Sequence, residues 1–301
     1  MAVLYRVAGV AGALGYRLAP GARAAVEDNL RHVLPEASEA KRRRVAKQVF
    51  RNVACYYAEF IHMPRMDPEQ FLEQRLTMHG VREILLPHLA AGKGAIMLSA
   101  HIGNAEISGQ ALIPLGVRTF ALTEPIQPPQ LSRMFDRIRS SHGVEFVPVG
   151  IAGVKRMLRV LREGYVVALM GDRDIEGPKM KLPFFGVETW MPTGPIEVGL
   201  RANVPVFPSF SIRRKGGKIE AFLEPPLEIP RTDDFQADVR AGALQFIAAL
   251  EKRLRADPEQ WNVLEKVWGG DSEEPAAGSQ QQGAGSKGRR RVVRRKRRLG
   301  R

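Results

Sequence analysis

At 301 residues with 44% hydrophobic composition the chain can bury a large core, which excludes a disordered protein and predicts one compact α/β domain with appendages. Its formal charge of +14 is unevenly spread: residues 287–301 hold ten basic side chains and no acidic one, leaving +4 for the rest. That tail fits an anionic partner, a lipid surface or nucleic acid, or else a solvated terminus. The single Cys55 excludes an intrachain disulfide and reads as a buried packing residue.

In chain order, the apolar stretch VAGVAGALGY between Arg6 and Arg17 is too short to span a bilayer and lacks a convincing cleavage site, so an interfacial or shallowly inserted segment is expected. After the turn at Pro20-Gly21, Val26, Leu30, Val33 and Leu34 recur at helical spacing up to Pro35. A longer amphipathic helix is expected from Ser38 to Met63, with Val45, Val49, Phe50, Val53, Tyr57, Phe60 and Ile61 as its apolar stripe and a basic block, Lys41 to Arg44, near its start. Packing on the core is favoured over a membrane-facing role for it. Two elements follow, Pro68 to Leu72 and Leu76 to Leu89, the second ending before Ala91-Gly92-Lys93-Gly94, a turn without the spacing of a phosphate loop.

From Ala95 the pattern alternates between strand and helix. Ala95–Leu98 reads as a buried strand, and the helix beginning at Asn104 ends near Pro114. Strands are expected at 118–122, 144–149 and 165–170, with helices at 131–140 and 153–162 between them, and the proline-rich stretch 123–130 is irregular. Leu182–Gly186 shows no clear periodicity, a helix opens at Thr193-Gly194-Pro195, and RRKGG joins strands at 204–212 and 218–223. A last amphipathic helix is expected over 232–255, and the Gly/Ser/Gln-rich stretch 271–288 reads as a linker to the basic tail. The expected fold is α/β, a mostly parallel central sheet flanked by helices, preceded by N-terminal amphipathic helices. The division is a membrane-associating segment 1–35, an α/β domain 36–270 and a linker with basic tail 271–301.

Chemistry concentrates in GAIMLSAHIGNAEISG, Gly94 to Gly109. Within one helix His101 and Glu106 would stand roughly 140° apart, too far for contact, so the histidine must precede the helix. Asn104 as N-cap then puts Glu106 in the first helical turn, where the macrodipole favours a carboxylate able to orient the imidazole. Asp172, like His101, falls at the carboxyl end of an expected strand, where α/β folds place their sites. A carboxylate-held histidine is a general base. A hydrolase would need a protein nucleophile, yet no GxSxG is present and Ser99 makes no obvious elbow; a metal site would need further ligands, and the histidines show no HExxH spacing. An acyltransferase takes its nucleophile from the acceptor hydroxyl, and so fits best, with backbone N–H groups near Gly103 and Asn104 as oxyanion donors.

HIGNAE resembles the HX4D/E motif of the lysophospholipid acyltransferase superfamily. An ordered set, NLRHVLP, SAHIGNAE, FDRIRSSHGVEFVP, MGDRDIEG, LPFFG and MPTGPIEVGLRANVPVFP, is similar to the branch of bacterial lipid A acyltransferases and mycobacterial phosphatidylinositol mannoside acyltransferases, from Leu14 to Trp268. Where many members carry tryptophan before the acidic residue, this chain has Ala105. The resemblance implies His101 as base, Glu106 as its partner, and Arg139 and Asp172 as further site residues. Arg139 and Arg173 are candidate phosphate ligands, with ion pairing to Asp172 or Asp174 as the alternative; Asn104 and Asp174 complete the expected substrate-binding set. Phe184 and Phe185 are candidates for an acyl groove, with core packing favoured.

The expectation is an acyl-CoA or acyl-carrier-protein dependent O-acyltransferase without metal or cofactor, acting on a glycolipid or lysophospholipid hydroxyl. It would sit peripherally on the anionic cytoplasmic face of the cell membrane. General phospholipid metabolism is an alternative. Nucleic-acid binding by the tail is another, although the tail lacks the aromatics that would support it.

Overall fold

A computed structural model describes residues 2–269 except 125 and 174–176. Asp174 and the expected linker and basic tail thus lie outside the described residues. Three helices open the chain: α1 (Ala2–Leu18), α2 (Pro20–Val33) and α3 (Glu39–His62). Pro20 pre-sets the first turn of α2, and the Ser38 hydroxyl caps α3 by accepting from the Lys41 N–H. Val26 and Leu30 of α2 and Val45, Ala46, Val49 and Phe50 of α3 form one buried cluster, with Tyr16 of α1 packed against it. The other face of α1 leaves Val3, Val7, Val10, Leu14 and Leu18 exposed.

After α4 (Pro68–Gln74), the stretch expected as one element from Leu76 to Leu89 divides into strand β1 (Leu76–His79), a π-turn (Val81–Leu85) and α5 (Leu86–Ala90). Gly80 makes the break: its φ is 83°, and a Cβ there would run into the Leu223 carbonyl oxygen. Then come β2 (Ala95–Ser99), α6 (Ala105–Gln110), β3 (Thr119–Thr123), α7 (Pro129–Arg139), β4 (Glu145–Pro148), α8 (Ile151–Arg162) and β5 (Val166–Met170). The stretch read as aperiodic is a hairpin, β6 (Lys179–Phe184) with β7 (Val187–Pro192), turning on Phe185 and Gly186 at φ 51° and 76°. Finally α9 (Gly194–Ala202), β8 (Val206–Arg213), β9 (Ile219–Leu223) and α10 (Phe235–Ala256) complete the domain.

The central sheet runs β1-β9-β8-β2-β5-β3-β4, parallel throughout except for the antiparallel pair β8–β9. Strand alternation serves both faces. Ile96 and Leu98 of β2 face a core with Val160 of α8, Ile196 of α9 and Phe246 and Leu250 of α10, whereas Ala95 faces Val81, Leu85 and Phe207. Phe184 belongs to the first core and is fully buried, so the packing reading holds for it. No helix among the described residues is long and apolar enough to cross a membrane.

Candidate active site

Strand register brings His101 and Asp172 together. β2 and β5 are parallel neighbours with Ser99 opposite Met170, and the ladder continues one residue further through Gly171 N–H to the Ser99 carbonyl, 2.9 Å. Two residues past each strand end stand His101 and Asp172, and equal overhang on aligned strands brings them together. The imidazole Nδ1 lies 2.8 Å from Asp172 Oδ1, and the His101 N–H donates to Oδ2 at 2.9 Å. Trp261 Nε1 donates to the same Oδ2 at 2.9 Å. A Cβ at Gly171 would press on Leu98 and the Phe246 ring, which would have to shift.

Asp172 is wholly buried, while 31% of the His101 side chain stays open. Burial opposes the ionised carboxylate, but the His101 charge and hydrogen bonds from His101 and Trp261 outweigh it and hold Asp172 below the usual carboxylate range. Burial likewise opposes the imidazolium, and the Asp172 charge and hydrogen bond outweigh it, raising the His101 pKa. With Nδ1–H given to an ionised carboxylate, the neutral imidazole carries its lone pair on Nε2. Asp172, expected in the substrate-binding set, is thus the carboxylate bonded to the imidazole, the place expected of Glu106.

Glu106, the expected orienting group, is held elsewhere. Its carboxylate accepts from Arg139 Nη2 at 2.9 Å and from the Tyr56 hydroxyl at 2.9 Å. Arg139 lies among the rings of Phe60, Phe135 and Phe146. Burial works against its charge and Glu106 more than restores it, while burial and then Glu106 push the Tyr56 hydroxyl up. The helical placement of Glu106 is as expected: Asn104 Oδ1 caps α6 by accepting from Ile107 N–H at 3.1 Å. What local spacing could not supply is the competing cation, brought by α7 from 33 residues away.

The turn after His101 is strapped by the segment beyond α10. Gly103 N–H donates to the Gln260 carbonyl (2.8 Å), Asn262 N–H to the His101 carbonyl (2.7 Å), and Asn262 Nδ2 to the Gly103 carbonyl (2.8 Å). Gly103 has φ 58°, and a Cβ would collide with the Ser211 carbonyl. Its N–H is thus committed and is not the oxyanion donor expected of it. Asn104, expected in the substrate-binding set, is buried and also committed, Oδ1 to the cap and Nδ2 to Glu59 at 2.8 Å. Arg173 pairs with Glu265 (2.8 Å) and Glu124 (3.1 Å).

A cavity of about 1120 Å³ is lined by His101, Glu106, Tyr56, Arg139 and Arg173. It also reaches Ser99, Ala121 and Ala168, side chains of one sheet face small enough to leave room beneath the strands. Among the described residues no three His, Cys, Asp or Glu side chains are grouped to hold a metal. Tyr56, Trp261 and Asn262 carry no signal in the sequence: the first sits in a long amphipathic helix outside its apolar stripe, the other two in an aperiodic segment.

A family model described as bacterial lipid A biosynthesis acyltransferase matches residues 2–269. A phosphatidylinositol mannoside acyltransferase of Mycobacterium tuberculosis (strain CDC 1551 / Oshkosh) is 26% identical over 225 residues, covering 73% of this chain and 68% of the relative. A protein of the same name from Mycolicibacterium smegmatis (strain ATCC 700084 / mc(2)155) is 26% identical over 220 residues, 71% and 69% of the two chains.

Proposed function

Because the chain belongs to the bacterial lipid A biosynthesis acyltransferase family and is an acyltransferase, we propose that His101 is the general base of acyl transfer from a thioester to a hydroxyl of a glycolipid of the phosphatidylinositol mannoside type. The observation carrying this is an imidazole whose Nδ1 is fixed by buried Asp172 while the ring opens into an apolar-floored cavity. His101 Nε2 takes the hydroxyl proton as the acceptor oxygen attacks the thioester carbonyl. The carbon–sulfur bond then breaks, and the thiolate leaves with the proton that His101 returns. The imidazolium formed in between is stabilised by Asp172. The part of the cavity under the sheet takes the acyl chain, and the donor is acyl-CoA or acyl carrier protein. Glu106 and Arg139 form a second polar wall, with Arg139 offered to acceptor phosphate.

The exposed apolar stripe of α1, on a helix that also carries Arg6 and Arg17, suits shallow seating on an anionic lipid surface at the cytoplasmic face of the membrane. Purified protein given each thioester with a phosphatidylinositol mannoside acceptor tests the reading. Wild type should transfer the acyl group, and His101→Gln should fall by about 10⁴-fold or more with an unchanged fold. Equal rates for the two proteins would overturn the assignment.

A further inference from the structure

Apart from the reacting pair, one carboxylate is bonded on every side. Glu59 of α3, 1% exposed, accepts from the Tyr5 hydroxyl (2.6 Å) and Arg213 Nε (2.9 Å) on Oε1. On Oε2 it accepts from Arg213 Nη2 (2.6 Å) and Asn104 Nδ2 (2.8 Å). Burial raises its pKa and the Arg213 and Tyr5 contacts more than reverse that, so the carboxylate is ionised. A buried ion pair is seldom worth more to stability than an apolar pair of the same volume, so stability alone does not account for one here.

Its placement does. Asn104 closes the turn that begins at His101 and caps the helix bearing Glu106. Arg213, at the end of β8, exchanges two hydrogen bonds with Gln260, its N–H donating to Oε1 (3.2 Å) and its carbonyl accepting from Nε2 (3.3 Å). The Gln260 carbonyl in turn holds Gly103 N–H. Glu59 therefore reaches both ends of the Gly103-Asn104 step, one directly and one through Arg213 and Gln260. Tyr5, which also accepts from Arg75 Nη2 at 2.9 Å, ties this network to α1.

We infer that Glu59 is a positioning residue of the catalytic turn: it anchors Asn104 and hangs the turn carrying His101 from Tyr5 of α1 and Arg213 of β8. The inference rests on the reading of His101 as base. It makes the order of the turn depend on α1, the helix whose apolar face is bare.

Glu59→Gln would strip the buried Arg213 of its counter-charge, so the informative substitutions lie on either side of Glu59. Asn104→Ser keeps a hydroxyl to cap Ile107 N–H but loses the donor to Glu59. Tyr5→Phe removes one hydroxyl. In the full chain, hydrogen exchange of the 100–108 amides should quicken about tenfold in Asn104→Ser and about threefold in Tyr5→Phe, with β8 amides unchanged. In transfer assays kcat should fall by similar factors with KM held, and the double variant should be no worse than Asn104→Ser, since the two act in series.

Unchanged exchange at 100–108 in Asn104→Ser, or multiplying losses in the double variant, would overturn the inference. Exchange needs no substrate. A wild-type protein inactive with both thioesters would therefore sink the acyl-transfer reading and leave the anchoring to be decided by exchange.

Discussion

Two of the ion pairs at the cavity rest on different supports. His101 and Asp172 stand just beyond the ends of adjacent parallel strands, and the carboxylate is sealed under bonds from a backbone N–H, an imidazole and an indole. Glu106 and Arg139 ride on the first turn of a six-residue helix and the last residue of α7, each side chain 14% exposed. Strand register fixes the first pair to within a hydrogen bond, whereas side-chain reach and ring packing fix the second. On the proposed reading of His101 as base, the pair that would transfer the proton has the stiffer support, and the pair that would admit substrate rests on helix ends.

Asp172→Asn strikes the strand-borne pair most directly. Loss of the charge removes both the orientation and the stabilisation of the imidazolium, so kcat/KM should drop by about 10³-fold. The pH profile carries the sign. A base must be neutral, so activity is lost as pH falls through the His101 pKa, which Asp172 holds above the ordinary imidazole value of about 6.5. In Asp172→Asn that acid limb should move to lower pH; a limb that stays put would break the assignment.

Stability follows the same pair. His101, raised in the fold, contributes fully below about pH 6.5 and loses that contribution as pH rises through its folded pKa. Asp172, lowered in the fold, contributes above about pH 3.9 and loses it as pH falls through its folded pKa. The difference in Tm between wild type and Asp172→Asn should accordingly be largest between about pH 4 and 6.5.

Glu106→Gln probes the other support. It leaves Arg139 without its charge partner, so a stability loss of about 1–3 kcal/mol by denaturant melts and a loss in kcat/KM of about 10-fold to 100-fold are expected. The acid limb should not move, because Asp172, Arg173 and Glu124 set the charge around the imidazole. A shift like that of Asp172→Asn would erase the distinction between the two pairs.

Local pattern made much of this legible. Ala95–Ser99 is bounded by Gly94 and fully apolar up to its last residue, and Asn104 ahead of Ala105-Glu106 announces the cap, so His101 falls on a strand-to-helix turn and Glu106 in a first turn. Asp172 at a strand end is equally visible. Which strands are neighbours is not, because β2 and β5 are joined only by a register that no local window contains, and local spacing points to the nearer carboxylate, Glu106. In the β6–β7 hairpin Lys179 and Lys181 alternate with Met180, Leu182 and Phe184, a strand pattern that the window Leu182–Gly186 is too short to contain and that Pro183 further blurs, although Phe185-Gly186 marks the turn. Trp261 and Asn262 act on a turn some 160 positions earlier in the chain, through contacts that periodicity cannot reach.

A smaller effect than either carboxylate substitution is expected at Trp261. Trp261→Phe removes the indole N–H from Asp172 yet keeps a ring to pack edge-on to Phe184 and Trp268, and the backbone bridge to Ile102 does not depend on the side chain. Asp172 then keeps both bonds from His101 and loses one of the three contacts that hold its pKa down. A hydrogen bond to a charged group contributes about 1.5–3 kcal/mol, but the imidazole contact survives, so kcat/KM should fall by only about 3-fold to 10-fold. The acid limb should stay above that of Asp172→Asn, since the charge on Asp172 remains. A loss as large as that of Asp172→Asn, with Tm little changed, would mean that the indole and not the strand register is what holds the carboxylate against His101, and the contrast between the two supports would have to be redrawn.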